Sequence, residues 1–266
     1  MCVRMKGKVM VKRGLLHVKA LLAAAQFLTL IPIPVKLDWT VELQKRALLY
    51  YPVVGLLLGL ILVSVTYMAS WIFSYTTPLF SAAIVLSVWV LLTGALHLDG
   101  LADSADGWMG GLGDREKTLQ IMKDPCVGVT GAVTLIVVCL LKFTALVGLM
   151  EYGSVPLIGT ALLITPVLAR AAAMCLLVTT PYVREGGIAS SWIGQINVSD
   201  LFWPLMAVAG VAIWLAPVAL LIALAVLWAC RRVMLVRLQG ATGDTAGATI
   251  ELIELAILMG MNAYIS

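Results

Sequence analysis

An all-α fold, a polytopic integral membrane helical bundle, is what this sequence predicts, and three observations carry the prediction. Of the 266 residues, 62% are hydrophobic and the mean hydropathy is +1.03. Only 12% are charged, against roughly 25% in soluble domains. Several stretches run about 20 residues almost without charge, the length that crosses a ~30 Å hydrocarbon layer. Backbone groups in lipid must pair within their own segment, so these stretches are expected as helices and no sheet is expected. The expectation is a single domain over residues 1–266 with about seven transmembrane helices plus an N-terminal re-entrant or interfacial helix.

The N-terminal extension, residues 1–14, carries Arg4, Lys6, Lys8, Lys12 and Arg13. It superficially matches a signal peptide, but the apolar run that follows continues to Ile31-Pro32-Ile33-Pro34 without a clear small-residue cleavage site. The bases instead hold this end in the cytoplasm. The first apolar segment, 20–35, is short, contains Gln26 and ends in two prolines, so it is expected to return to its own side. Spans are expected over 47–73, 79–98, 127–150 and 156–180. The 30 residues 201–230 are read as a hairpin turning near Leu215-Ala216-Pro217. This places the bases Lys36, Lys45 and Arg46, then Arg115, Lys117 and Lys123, then Arg231, Arg232 and Arg237 on one side, as the positive-inside rule requires. A last span covers 248–265.

The net charge of +4 is small, and most Lys and Arg sit in a few short loops. It is an orientation signal and a contact with lipid headgroups, and it argues against a nucleic-acid partner. The five cysteines form no C-x-x-C pair, so neither a disulfide framework nor a zinc site is expected. The sequence leaves a homo-oligomer open.

The chemistry gathers in His97-Leu98-Asp99-Gly100-Leu101-Ala102-Asp103-Ser104-Ala105-Asp106-Gly107. On a helix, the i, i+4, i+7 spacing puts Asp99, Asp103 and Asp106 on one face. Adjacent carboxylates repel unless a cation sits among them, and hard oxygen ligands suit Mg²⁺, which binds one or two carboxylates together with substrate phosphates. Gly100 and Ala102 leave room for phosphate. The competing reading is an ordinary solvated acidic helix end. His97 points away from the three acids.

A second acidic face opens the last span, where Asp244 and Glu251 are seven residues apart and aligned, behind Gly243 and with Gly247 and Ala248 between them. Glu251 and Glu254 lie in an apolar helix, where a carboxylate is expensive and a functional candidate. The alternative is that they balance an Arg or Lys on a neighbouring helix. The loop 114–124, with Arg115, Lys123 and Asp124, followed by Gly128-Val129-Thr130-Gly131, is suited to present a lysine and backbone amides to phosphate. Arg170 is too deep to snorkel and needs an anion, either phosphate or one of the acids. Phosphate is the reading adopted, because the acids are expected on the metal. Lys142 is expected to snorkel to the opposite interface. Tyr182, Arg184 and Glu185 belong to a loop that either covers the site or is simply solvated.

Gln26-Phe27-Leu28-Thr29, Ile31-Pro32-Ile33-Pro34, Tyr51-Pro52-Val53-Val54-Gly55, His97 through Asp103, Ile121-Met122-Lys123-Asp124, Arg170, Thr242-Gly243-Asp244 and Gly247-Ala248 together resemble the cobalamin synthase family over nearly the whole chain. The resemblance departs at Pro125-Cys126-Val127 and in the longer N-terminus. It implies a phosphotransferase in the bacterial inner membrane, with its site facing the cytoplasm and Mg²⁺ as cofactor. The small-molecule substrates implied are adenosylcobinamide-GDP and α-ribazole or its 5′-phosphate. For α-ribazole, the resemblance implies that its 5′-hydroxyl attacks the cobinamide-linked phosphate and GMP leaves. Metal ligands are then expected at Asp99, Asp103, Asp106, Asp244 and Glu251. Asp103 or Asp106 is the expected proton acceptor, and Lys123 and Arg170 are expected on phosphate. Further substrate contacts are expected from His97, Gly100, Arg115, Asp124, Gly243 and Gly247. Two other readings compete. The CDP-alcohol phosphotransferases share the membrane carboxylate cluster, but their D-x-x-D-G-x-x-A-R string is not reproduced. A cation-coupled transporter would place its acids near the midplane, often within inverted repeats, and no repeat is seen.

Overall fold

The computed structural model describes residues 2–73, 78–184 and 193–263. Eleven α-helices occur among them: α1 Cys2–Leu28, α2 Val41–Leu49, α3 Tyr51–Ile72, α4 Pro78–Leu92, α5 Leu96–Gly111, α6 Arg115–Ile121, α7 Val129–Tyr152, α8 Val155–Thr179, α9 Phe202–Leu215, α10 Pro217–Leu238 and α11 Gly243–Asn262. Five runs, comprising α3, α7, α8, Val198–Leu215 and α10, are long and apolar enough to cross a membrane, and the bent pair of α4 and α5 adds a sixth. The seventh expected span is α11, which carries Asp244, Glu251 and Glu254 and packs against α5, α7, α8 and α10.

α8 is the buried axis of the bundle, with fourteen buried residues along one helix. α3 lies against it closely enough that a Cβ on Gly55 would stand 2.4 Å from the Pro166 carbonyl oxygen, and one on Gly59 2.9 Å from that of Leu162. Small residues one turn apart bring two membrane helices to this distance. The apolar core joins α3, α4, α7, α8 and α11 through Leu58, Leu62, Trp89, Leu146, Leu162 and Ile253.

The first apolar segment forms the end of α1, which begins at Cys2 and runs to Leu28 with 29–40 irregular after it, and its apolar part, Gly14–Leu28, is too short to count among the spans. Gln26 Nε2 donates to the carbonyls of Ile33 and Val35 at 3.1 and 2.9 Å, which ties the irregular segment back to α1. One expectation is corrected by the fold: the span expected over 79–98 stops at Leu92. Gly94 and Ala95 both take positive φ, 61° and 54°, and α5 leaves at 84° to α4. A single isolated parallel bridge, Tyr182 to Ala241, joins two loop positions without forming a sheet among the described residues. The break in 201–230 falls at Ala216 as expected, with Pro217 opening α10.

Candidate active site

α5 delivers the acids as its spacing predicts, all three within one helix. α11 meets it at Gly100, where a Cβ would stand 2.6 Å from the Asp244 carbonyl oxygen. Only glycine permits that approach, and it brings the aspartate of α11 beside those of α5. Asp99, Asp106 and Asp244 all lie within electrostatic reach of Asp103. Thr242 and Thr245 start α11 with a capping box, their hydroxyls accepting from each other's backbone N–H at 2.9 and 3.2 Å. Asp244 therefore sits in the first turn, at the positive end of the helix dipole.

Among the described residues, no three His, Cys, Asp or Glu side chains are close enough to form a metal-holding group by themselves. What the four aspartates offer is hard oxygen donors at a partly exposed surface, which fits an ion that keeps its waters and shares them with substrate phosphates. Asp106 is the most engaged of the four. Its two oxygens accept from Gly128 N and Gly131 N at 2.7 and 2.8 Å, so it caps the N-terminus of α7 and ties that helix to α5. A Cβ on Gly131 would collide with this carboxylate at 2.4 Å.

Among the described residues, one cation is ion-paired with the cluster. Arg184 Nη1 donates to Asp244 Oδ2 at 2.5 Å, with the two side chains 30% and 17% exposed. The bridge strands hold the arginine in place: Val183 N donates to Ala241 O at 3.0 Å and Ala241 N to Pro181 O at 2.8 Å. Beside them opens a cavity of about 700 Å³ lined by Arg115, Thr180, Tyr182 and Arg184. Burial pushes the Tyr182 hydroxyl above the usual tyrosine range. Arg184 had no assigned role in the sequence reading. The only signal was its place in a polar loop, because the pairing that presents it joins positions far apart in the chain.

Two turns below Asp244 lies a different cluster, and it claims several residues expected in the site. Lys142 Nζ donates to Glu251 Oε2 and Glu254 Oε2, both at 2.6 Å, and stands 5.1 Å from the Trp89 ring centroid. Arg170 Nη1 donates to Glu254 Oε1. All four side chains are at most 5% exposed. Lys142 therefore does not snorkel, since two carboxylates on α11 draw it inward. Arg170 has a protein anion available, which corrects the expectation that only phosphate remained for it. Glu251 takes a lysine and is not brought to the aspartates. The His97 ring is buried, with neither nitrogen bonded, and faces Arg170, Glu254 and Lys142 rather than the open site.

The remaining expected contacts are spread around the acids. A Cβ on Gly247 would come within 3.2 Å of the His97 backbone, so Gly247 serves the packing of α11 on α5, whereas Gly243 is open on all sides. Arg115 Nε donates to Leu238 O at 2.8 Å, fastening α6 to the end of α10. Lys123 is exposed, and the Asp124 carboxylate accepts from Cys126 N at 2.9 Å.

A family model described as cobalamin-5-phosphate synthase matches residues 20–262. The chain is 47% identical over 240 residues to the adenosylcobinamide-GDP ribazoletransferase of Pseudomonas putida strain GB-1, covering 90% of this chain and 97% of that protein. The proteins of the same name from Pseudomonas fluorescens strain Pf0-1 and Pseudomonas aeruginosa strain PAO1 are 46% and 45% identical over 246 residues, with 91% of this chain and 98% and 97% of theirs covered. No solved structure matches.

Proposed function

This chain belongs to the cobalamin-5-phosphate synthase family, and on that premise we propose that it transfers the cobinamide phosphate of adenosylcobinamide-GDP to a free ribose hydroxyl of α-ribazole or α-ribazole 5′-phosphate, releasing GMP. The observation that supports this most directly is the meeting of α5 and α11 at Gly100, which gathers Asp99, Asp103 and Asp244 at a partly exposed surface.

Asp99, Asp103 and Asp244 would hold Mg²⁺, which neutralises charge on the phosphoryl oxygens while the attacking and leaving oxygens stay in line. The Asp103 oxygen left off the ion accepts the proton of the attacking hydroxyl as the new P–O bond forms and the bond to GMP breaks. Asp106 keeps α7 and α5 in register, and Lys123 meets phosphate charge from the 114–124 loop. Arg170 works within the protein, as counter-ion to Glu254. The Lys and Arg distribution supports a site on the cytoplasmic face of a bacterial inner membrane, where nucleotide substrates are found.

The test is turnover by the purified protein in detergent, given adenosylcobinamide-GDP and α-ribazole with and without Mg²⁺, with products identified by mass spectrometry. Formation of adenosylcobalamin and GMP only with the ion supports the reading. Equal rates in excess chelator would rule out the metal, and intact substrates in the presence of Mg²⁺ would rule out the reaction.

A further inference from the structure

Arg184 occupies an unusual place. It is the only cation ion-paired with the acid cluster among the described residues, and it pairs with an aspartate that the proposed function assigns to the metal. Its guanidinium is not locked in. The side chain keeps 30% of its exposure and borders a cavity of about 700 Å³ that also takes Arg115 and Thr180, a volume within the range of ligand sites. Arg115 spends its Nε on Leu238 O, while Arg231 on the neighbouring helix spends its donors on the Thr180 hydroxyl and the Thr179 carbonyl at 3.1 and 2.9 Å. Those two are anchors. Arg184 alone holds a carboxylate that a divalent cation would compete for.

The backbone beneath Arg184 is fixed, while its side chain reaches from it to a partly exposed ion pair. Pro181 to Val183 are pinned to Ala241 by two backbone hydrogen bonds. Gly240 sits under them so tightly that a Cβ would stand 2.3 Å from Pro181 O. Pivot and acid are thus tied by the same short pairing, one residue from Arg184 on one strand and three from Asp244 on the other.

We propose that Arg184 is a substrate-binding residue that changes partner. It neutralises Asp244 while the acids hold no metal, and it is released to the diphosphate of the nucleotide substrate, on the cavity side, when a divalent cation takes Asp244. A guanidinium suits both partners, since its planar fork matches carboxylate and phosphate alike. The exchange makes metal and nucleotide binding mutually favourable, because each removes the other's competitor. This inference rests on the metal reading given above.

Two binding measurements on substrate-free protein in detergent test it, with Mn²⁺ as a spin probe read by electron paramagnetic resonance and GDP titrated by calorimetry. In Arg184→Gln, Mn²⁺ should bind about two- to fivefold more tightly than in wild type, the worth of a partly exposed ion pair. GDP in the presence of Mg²⁺ should bind about tenfold or more weakly, the worth of a charge-assisted hydrogen bond. Arg184→Lys should recover part of the GDP affinity. Opposite movement of the two affinities is the signature, because a purely structural arginine would weaken both or neither. Parallel changes, or no change in either, would overturn the proposal while leaving the metal reading intact. Absence of Mn²⁺ binding in wild type would overturn the metal reading itself, and the partner exchange with it.

Discussion

Asp244 and Glu254 lie on the same helix, roughly three turns apart, and the protein treats them in opposite ways. Asp244 stands among like charges at a partly open surface, with a single half-exposed arginine to balance it. Glu254 is fully buried and receives both Lys142 and Arg170. Counted together, Lys142, Arg170, Glu251 and Glu254 carry no net charge, so the lower cluster is electrically balanced within the protein. The upper one has an excess of negative charge that an added cation would relieve. Carboxylates of similar chemistry thus serve binding or cohesion according to whether the protein supplies their counter-charge.

The strongest way to break this comparison is to strand a charge in the lower cluster. Glu254→Ala leaves two buried cations facing one remaining carboxylate, and the expected cost is about 3–5 kcal/mol. It should read as a large fall in thermal unfolding temperature in detergent without substrate. Neutralising an opposed pair, Arg170→Met with Glu254→Gln, leaves Lys142 with Glu251 and should recover most of that loss. Failure to recover would show that the cluster is more than a balanced set of charges.

In the upper cluster the same kind of change should do the reverse. Asp103→Asn removes a charge from a site that already has too many, so stability should move by no more than about 0.5 kcal/mol. Turnover should fall on the order of 10²-fold, the loss seen when one charge-stabilising group is removed from an active site. A variant with wild-type turnover, or one that melts early, would place Asp103 with the structural acids.

Those two outcomes also mark how far the sequence could be read. The face shared by Asp99, Asp103 and Asp106 was legible, because helical periodicity is local and survives whatever packs around it. The partners of Arg170 and Lys142 were not legible. They lie 84 and more than 100 positions away, and which helix turns which face inward is decided by packing. Lys142 was misplaced for the same reason: its depth depends on carboxylates whose proximity no spacing reveals. Arg184 escaped because a two-residue bridge presents it, too short to leave a pattern. The break at Gly94-Ala95 was hidden because the uncharged residues continue through it from Leu92 to Leu96.

Asp106 sharpens the comparison with the smallest effect, since it belongs to both regimes. It faces the acid cluster, yet its oxygens accept two backbone N–H groups at the start of α7. Asp106→Asn keeps one acceptor oxygen and should cost about 1 kcal/mol of stability, the usual worth of an N-terminal helix cap, together with a loss of turnover smaller than that of Asp103→Asn. Equal losses of turnover would put Asp106 on the metal as firmly as its neighbour.

The elbow between α4 and α5 carries a consequence for the lipid. α4 has 15 residues, about 22 Å of helix at 1.5 Å per residue, against a hydrocarbon layer of ~30 Å. With α5 turned aside by 84°, no described helix continues α4 in its own direction beyond Leu92. α9 has only 14 residues, but with the turn before it the run Val198–Leu215 is long and apolar enough to cross. A membrane closing around α4 is thinned there, at a cost that rises with every ångström of mismatch. Thinning on the α5 side draws phosphate headgroups and water down toward the level of the aspartates. The bilayer is therefore part of the site's dielectric, and its thickness is a variable the protein feels.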